Sequence, residues 1–408
     1  MDSLTQIVLG AACGEVVAGR KIGNRAMIWG AVAGTIPDLD VLSNLFASEM
    51  FALAFHRGIS HSLLFAFVAP LLLAYGVKRL YDSGLYERKA WKVGITLFWF
   101  ILFSLPIILG DYSNGISAIS IVFLIILIAL VVLMRFTYWK RPLKVVQMNY
   151  GRWYLLFFIS IITHPFLDCC TSYGTQIFQP FSDTRIAWDN IAVADPAYTI
   201  PFMIPLIIAA FFRQNLRVRS ILNWTGIGLS SLYMIWTISN KLHANKVFER
   251  SLEAEAIPYE RYRVTPTILN NFLWSGVAET DSAYYLGLYS ILDEEEVFSP
   301  LSRIAKNHHL IAGHENDPDI QTLTWFSDDY YALFINKDSV LQYNDMRYGT
   351  FDGDASTQDK FIFYFLLTEE NGELKASQRD AEQPEFSQQM FIDFWERIQG
   401  IKKAPVSD

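Results

Sequence analysis

The sequence predicts a polytopic α-helical membrane protein, a helical bundle of about eight spans, followed by a smaller soluble C-terminal α+β domain. Three observations carry this expectation. Of 408 residues, 52% are hydrophobic and only 18% charged, where a soluble domain has about a quarter charged. The mean hydropathy is +0.23. The charge is also divided by position: residues 1–239 hold 18 Lys+Arg and 12 Asp+Glu, net +6, and residues 240–408 hold 15 and 29, net −14. The membrane domain is therefore expected over 1–239 and an acidic soluble domain over 240–408. This composition excludes disordered, collagen-like and disulfide-stapled classes.

Taking about 20 apolar residues as the ideal span, the candidates lie at 4–19, 26–45, 59–77, 93–110, 116–134, 153–168, 197–212 and 221–239. The clearest is ISAISIVFLIILIALVVLM at 116–134; the first, second, sixth and seventh are short or interrupted by polar groups. The start carries Asp2 where a secretory signal carries positive charge, so it reads as a retained first helix. With eight spans, sixteen Lys/Arg fall in one set of loops and only Arg57 and Arg185 in the other. Positive charge stays on the cytoplasmic side. That asymmetry puts the N-terminus, the candidate site and residues 240–408 on the outer side of a multi-pass inner (cytoplasmic) membrane protein.

After Asn240 charges become frequent, and Ala283–Leu292, Thr322–Phe334 and Lys360–Thr368 read as strands, while Lys241–Glu255 continues the last span as a helix. Three cysteines, two of them adjacent, cannot build a disulfide framework. No cluster of basic and aromatic residues supports nucleic-acid binding. The oligomeric state is not set by the sequence.

Polar residues at membrane depth are tolerated only where they are buried in protein or line a wet cavity, so three groups stand out. Asp38 and Asp40 follow Pro37, and carboxylates two apart in a turn can share a cation or cap the next helix. His56 and His61 flank Arg57, Gly58 and Ser60. A turn at Gly58 lets both imidazoles face one ion, with Arg57 as an oxyanion donor. His164 and Asp168, four apart, share a helical face, which suits two metal ligands or a His oriented by a carboxylate. A loop from Thr171, Ser172 and Tyr173 through Asp183, Arg185 and Asp189 to Asp195 can close over the site and bind substrate, although each single Asp also reads as an ordinary loop residue. Glu15, inside the first apolar stretch, is either functional or half of a structural ion pair.

Several segments together resemble a known family: MDSLTQIVLGAACGE, GTIPDLDVL, HRGISHSLL, ITHPFLDCCTSYGTQIFQPFSDTRIAWDNIAVADPAYTIP and PTILNNFLWSGV. They are similar to the membrane-bound, YdjM-like family described as metal-dependent hydrolases, over about residues 1–275. That family is in turn similar to the zinc-dependent phospholipase C and P1 nuclease superfamily. The resemblance implies metal roles for Asp38, Asp40, His56, His61, His164 and Asp168. The sequence departs from the family pattern at Gln6, where relatives carry His, a place Glu15 would then have to fill.

The function expected is a membrane hydrolase in which a divalent metal activates water against an ester or phosphoester of a lipid-like substrate. Mixed nitrogen and oxygen donors favour zinc, with manganese second. Arg57 would steady the anion, Asp168 or Asp195 (or Glu15) would act on the nucleophile, and Ser60 with the outer loop would bind substrate. Membrane lipid is the expected environment and substrate source. The competing expectations are a transporter or ion-binding protein using the same His/Asp/Glu set, and a catalytically silent scaffold.

Overall fold

The computed structural model describes residues 1–108, 118–139, 145–212, 217–337, 339–350, 361–378 and 388–401. Asp2 caps the first helix, α1 (Ser3–Ile22), by accepting from the Thr5 amide at 3.0 Å. Gly23, at φ 61°, turns the chain into α2 (Asn24–Thr35). The two helices touch backbone to backbone: a Cβ on Gly10 would stand 2.3 Å from Gly30 O, and one on Gly14 would stand 2.1 Å from Ala26 O. Only small residues at four-residue spacing allow that approach.

Pro37 ends α2 and starts a 3₁₀ helix, Pro37–Leu45. Then come α3 (Glu49–Phe55), a 3₁₀ turn at Ile59–His61, α4 (Leu63–Asp82), α5 (Lys89–Ile108) and α6 (Ala118–Leu133). They are followed by α7 (Tyr150–Cys169), α8 (Pro196–Phe211) and the long α9 (Arg217–Ala254). By packing, the chain divides into one unit of Met1–Val68 with Phe158–Asp408 and a second of Ala69–Phe157. Within the second unit, Trp153 stacks on Tyr81 with ring centroids 5.5 Å apart, and Tyr150 donates its hydroxyl to Leu71 O at 3.1 Å.

The first unit also holds two antiparallel four-stranded sheets. One runs in the order β1 (Arg261–Pro266), β2 (Leu273–Glu279), β3 (Ala283–Ser290), β4 (Ser302–Ala305), with Val277 opposite Leu286. The other runs β5 (Tyr331–Ile335), β6 (Leu341–Asp345), β7 (Tyr364–Glu370), β8 (Glu373–Ser377), with α10 (Pro318–Phe326) before it and α11 (Gln388–Ile398) after it. The C-terminal half of α9 packs Val247, Phe248 and Leu252 onto Val264, Trp274 and Tyr289 of the first sheet. Met50 and Leu53 of α3 join Leu323, Leu333, Tyr343 and Phe365 in the core of the second.

The expected eight-span, multi-pass bundle does not form. Among the described residues one helix, α4, is long and apolar enough to cross a membrane. The apolar stretches at 4–19, 26–45, 153–168 and 197–212 are expected as spans, but each turns part of its surface to a protein core in which Val8, Met27, Leu167, Phe202 and Leu206 pack together. Helix α2 stops at Thr35, and α6 and α8 have 16 residues each, about 24 Å against the roughly 30 Å of a hydrocarbon core. Residues 221–239 belong to a 38-residue helix that starts with Arg217 and Arg219. The far end of the 93–110 stretch and the start of the 116–134 stretch lie outside the described residues. The outer-side assignment goes with the eight spans, because it rested on alternating loops. Thr322–Phe334 is not one strand either: Pro318, at the first turn of α10, starts a helix that reaches Phe326.

The α1–α2 contact gives a direct test. Gly30→Leu places a side chain where a Cβ alone would meet Gly10 O at 2.1 Å, and it should destabilise the protein by about 1–3 kcal/mol or more. Gly228→Ala, where a Cβ meets nothing within 4 Å, should stabilise α9 by about 0.5–1 kcal/mol. Thermal unfolding of the purified protein measures both, with opposite signs expected.

Candidate metal centre

Three segments bring four donor side chains together. Asp38 sits in the first turn of the Pro37–Leu45 helix, His61 ends the Ile59–His61 turn, and His164 and Asp168 lie one turn apart at the end of α7. One ligand atom from each of these four residues lies within 4.8 Å of all the others. His164 Nε2 is 3.1 Å from His61 Nε2 and 3.3 Å from both Asp38 Oδ1 and Asp168 Oδ2. His61 Nε2 is 3.5 Å from Asp38 Oδ1 and 3.3 Å from Asp168 Oδ2.

The surroundings fix what these atoms present. His164 Nδ1 lies 2.6 Å from Gly34 O; a carbonyl can only accept, so Nδ1 holds the proton and Nε2 offers a lone pair. His61 Nδ1 lies 3.3 Å from Asp40 Oδ2, which fixes its tautomer the same way. Two imidazole Nε2 atoms and two carboxylate oxygens therefore face one point. Asp168 Oδ2 is buried and accepts no hydrogen bond. A tetrahedral ion about 2.0–2.2 Å from each donor would separate its ligands by roughly 3.3–3.6 Å. The donor chemistry and spacing fit a divalent cation.

Charge confirms how the place is tuned. Burial opposes a proton on His61, but contacts with the carboxylates of Asp168, Asp38 and Asp40 outweigh it and raise its pKa to about 10. Burial likewise pushes the Asp38 and Asp40 carboxyls up, yet His164 and His61 around Asp38, and His56 and His61 around Asp40, hold both below the usual carboxylate range. Asp168 also stays well below that range despite burial, with Arg57 and His164 among the opposing charges.

Asp40 lies outside the four-atom group and organises it. It accepts from the Arg57 amide at 2.9 Å and from Ser60 Oγ at 3.1 Å, and it lies 2.9 Å from His56 Nδ1. Arg57 takes a left-handed φ of 58° to make this turn. His56 is tied to Asp40 and not to the four atoms; its ring meets Tyr173 edge-on at 5.3 Å. His56 and Tyr173 line a cleft of about 420 Å³ with Glu49, Met50, Phe363 and Phe365. On the far side of Asp168, Oδ1 accepts from Gln6 Nε2 at 2.9 Å and from the Met1 amino group, and lies 3.6 Å from Arg57 Nη2.

The remaining candidate residues lie elsewhere or act differently. Thr171 Oγ1 accepts from Arg57 Nη1 at 2.9 Å. Arg185 reaches the Tyr173 and Gly174 carbonyls, and the Ser172 carbonyl faces Arg263 at 3.4 Å. Asp189 pairs with Arg263 at 2.7 Å, and Asp183 is exposed. Asp195 caps α8 through the Ala197 and Tyr198 amides and accepts from Tyr233 at 2.8 Å. Glu15 takes both nitrogens of Arg219 at 2.5 Å in a buried bidentate pair. Burial pushes the Cys169 and Cys170 thiols up to about 12, which makes them poor metal ligands. Sequence reasoning missed Gly34, because a backbone carbonyl has no side-chain signature; the glycine spacing at 10, 14, 30 and 34 was the available signal.

The buried His₂Asp₂ cluster defines a protein with a candidate metal site, and one helix of the chain is long and apolar enough to cross a membrane. The YdjM inner membrane protein family matches residues 1–116 and 120–244, more than half of the chain, and the chain belongs to that family. Inner membrane protein YbcI of Escherichia coli (strain K12) is 34% identical over 82 residues, 20% of this chain and 47% of YbcI. The chain thus spans about half the length of that curated relative. No solved structure matches. Its relatives place the protein at the cell inner membrane.

Two outcomes follow from these charges. The lowered Asp38 and Asp40 pKa values contribute stability that is complete above about pH 4 and is lost as pH falls. The raised His61 works the other way: its contribution is complete below about pH 6.5 and is lost as pH rises through about 10. In chelator, the unfolding temperature should therefore peak between about pH 4 and 6.5, and Asp40→Asn should flatten both limbs; an unchanged profile would refute the assignment. Glu15→Gln leaves the Arg219 guanidinium buried and unpaired and should cost about 3–5 kcal/mol, most of it recovered in Glu15→Leu/Arg219→Met. Denaturant unfolding of the three proteins decides.

Proposed function

We propose that the protein is a metal-dependent hydrolase of the inner membrane that cleaves an ester or phosphoester bond of a lipid-like substrate. The observation that carries this reading is the convergence of two imidazole Nε2 atoms and two carboxylate oxygens on one buried point. A divalent ion held by Asp38, His61, His164 and Asp168, zinc by its donor set with manganese second, would supply an acidified water and polarise the scissile oxygen.

The protein's own groups divide the remaining work. Gly34 O and Asp40 keep both imidazoles in the ligating tautomer. His56 has its Nδ1 held by Asp40 at 2.9 Å, and its Nε2 makes no hydrogen bond among the described residues. Its side chain is 28% exposed and lines the cleft, so His56 is the group placed to pass a proton to a leaving oxygen. Arg57, between Asp168 and Tyr173, steadies negative charge that develops beside the centre. The distant similarity of the YdjM-like family to the zinc-dependent phospholipase C and P1 nuclease superfamily favours phosphodiester cleavage.

Elemental analysis of protein purified without chelator should find about one zinc or manganese per chain. His61→Ala, His164→Ala and Asp168→Asn should each lower that by tenfold or more, and His56→Ala should keep the metal while losing turnover of lipid phosphodiesters by about 10²–10⁴. A protein that binds neither metal, and that stays inactive on phosphodiesters and carboxylic esters after both are supplied, would overturn the reading.

A further inference from the structure

Beside the four-atom cluster, buried hydrogen-bond donors gather around Tyr173 with no acceptor. Arg57 is 4% exposed, and while its Nη1 donates to Thr171 and its Nη2 faces Asp168, its Nε has no partner. Arg185 donates through Nε and Nη2 to the Tyr173 and Gly174 carbonyls, and its buried Nη1 has no partner. The Tyr348 hydroxyl is buried and unpartnered too. The two guanidiniums lie 4.8 and 4.7 Å from the centroid of the same Tyr173 ring, and Arg347 joins Tyr348 to this group, lying 5.5 Å from the Tyr348 ring and 4.8 Å from the Phe326 ring that Arg185 covers at 4.9 Å.

The imbalance is one of charge as well as hydrogen bonds. Neighbouring Arg347 is neutralised by Asp345 and Arg263 by Asp189. Arg185 has no carboxylate within ion-pair distance among the described residues, and the carboxylate that faces the Arg57 guanidinium is Asp168, whose other oxygen faces the histidines. Faces of Tyr173, Trp325 and Phe326 within 5.4 Å soften the Arg185 charge without cancelling it. A buried, unneutralised guanidinium is unfavourable. Water would satisfy the idle N–H and O–H groups but not the charge, whereas an oxyanion satisfies both. Donors from three separate side chains match the several oxygens of a phosphoryl group better than the two coplanar oxygens of a carboxylate.

We propose that Arg57, Arg185 and Tyr348 form an oxyanion subsite for the phosphoryl group of the substrate, which makes that substrate a phosphoester. The placement of the subsite next to a cleavage centre rests on the hydrolase reading above; its binding of phosphate does not. Inorganic phosphate is titrated by calorimetry into the full chain in phosphatidylcholine nanodiscs after chelation. Saturable binding is expected, weakened tenfold or more by Arg185→Gln and by Tyr348→Phe and partly restored in Arg185→Lys, with metal content unchanged in all three. Without phosphate, Arg185→Gln should unfold no earlier than the parent, since it removes an unneutralised charge; this separates lost binding from lost folding.

His61→Ala should lose metal and keep phosphate, so failure of the hydrolase reading and failure of the subsite are distinguishable. Competition by soluble glycerol phosphate, or by phosphatidic acid built into the nanodisc, each supports the subsite and tells which source fills it. Absence of saturable phosphate binding, equal binding by Arg185→Gln, or acetate binding as tight as phosphate would overturn the proposal.

Discussion

The candidate metal site depends on the place where α1 and α2 meet without side chains between them. A Cβ on Gly34 would stand 2.6 Å from Gln6 O, so the helices are in contact right up to the residues that serve the site. From that end of the contact Gly34 gives its carbonyl to His164 Nδ1, and Gln6 gives its amide to Asp168 Oδ1 at 2.9 Å and to His164 O at 3.2 Å. Ser160 of α7 donates to Gly10 O at 3.2 Å in the same contact. A side chain wedged between the helices would move the orienting groups of two ligands at once. Precision in the second layer is what keeps two Nε2 atoms aimed at one point.

The carboxylates around those histidines have separate duties set by small differences in backbone geometry. Asp38 and Asp40 are two apart on a 3₁₀ turn, yet Asp38 faces both Nε2 atoms while Asp40 gathers His56, the Arg57 amide, Ser60 and His61 Nδ1. One carboxylate belongs to the four-atom cluster, the other frames it. Because Asp40 also holds His56 at the edge of the cleft, the cluster residue His61 and His56 are linked through a single side chain. The three carboxylates that hold a proton on His61 are the groups that would draw a divalent cation to the same place, so the two compete there.

Polar residues set in apolar sequence were the legible part of the site. The pairs Asp38/Asp40, His56/His61 and His164/Asp168 stood out by type and spacing, and four of the six converge. Which four could not be read, because the choice between Asp38 and Asp40 is made by a 3₁₀ turn and that between His56 and His61 by the left-handed Arg57. Pairings across long separations left no trace either: Glu15 finds Arg219, 204 residues on. The span count failed for a different reason. An apolar stretch looks the same whether it faces lipid or packs Phe202 and Leu206 against Val8 and Met27, and a charge rule built on counting spans inherits that ambiguity.

The C-terminal sheets lie beyond the residues the family match covers, but they are not a detached appendage of the site. Helix α3 stands between the Asp38/Asp40 turn and the His56–His61 turn, and it is anchored by Met50 and Leu53 in the core of the second sheet. The Gln378 amide, just after β8, donates to Glu49 Oε2 at 2.8 Å and ties the first turn of α3 to the same sheet. Phe363 and Phe365 then form one wall of the cleft that His56 enters. The second sheet thus anchors the helix that joins the Asp38/Asp40 turn to the His56–His61 turn, and it walls the cleft beside His56. The helical layer supplies the four donors of the cluster, and the sheet sets how much room lies beside His56.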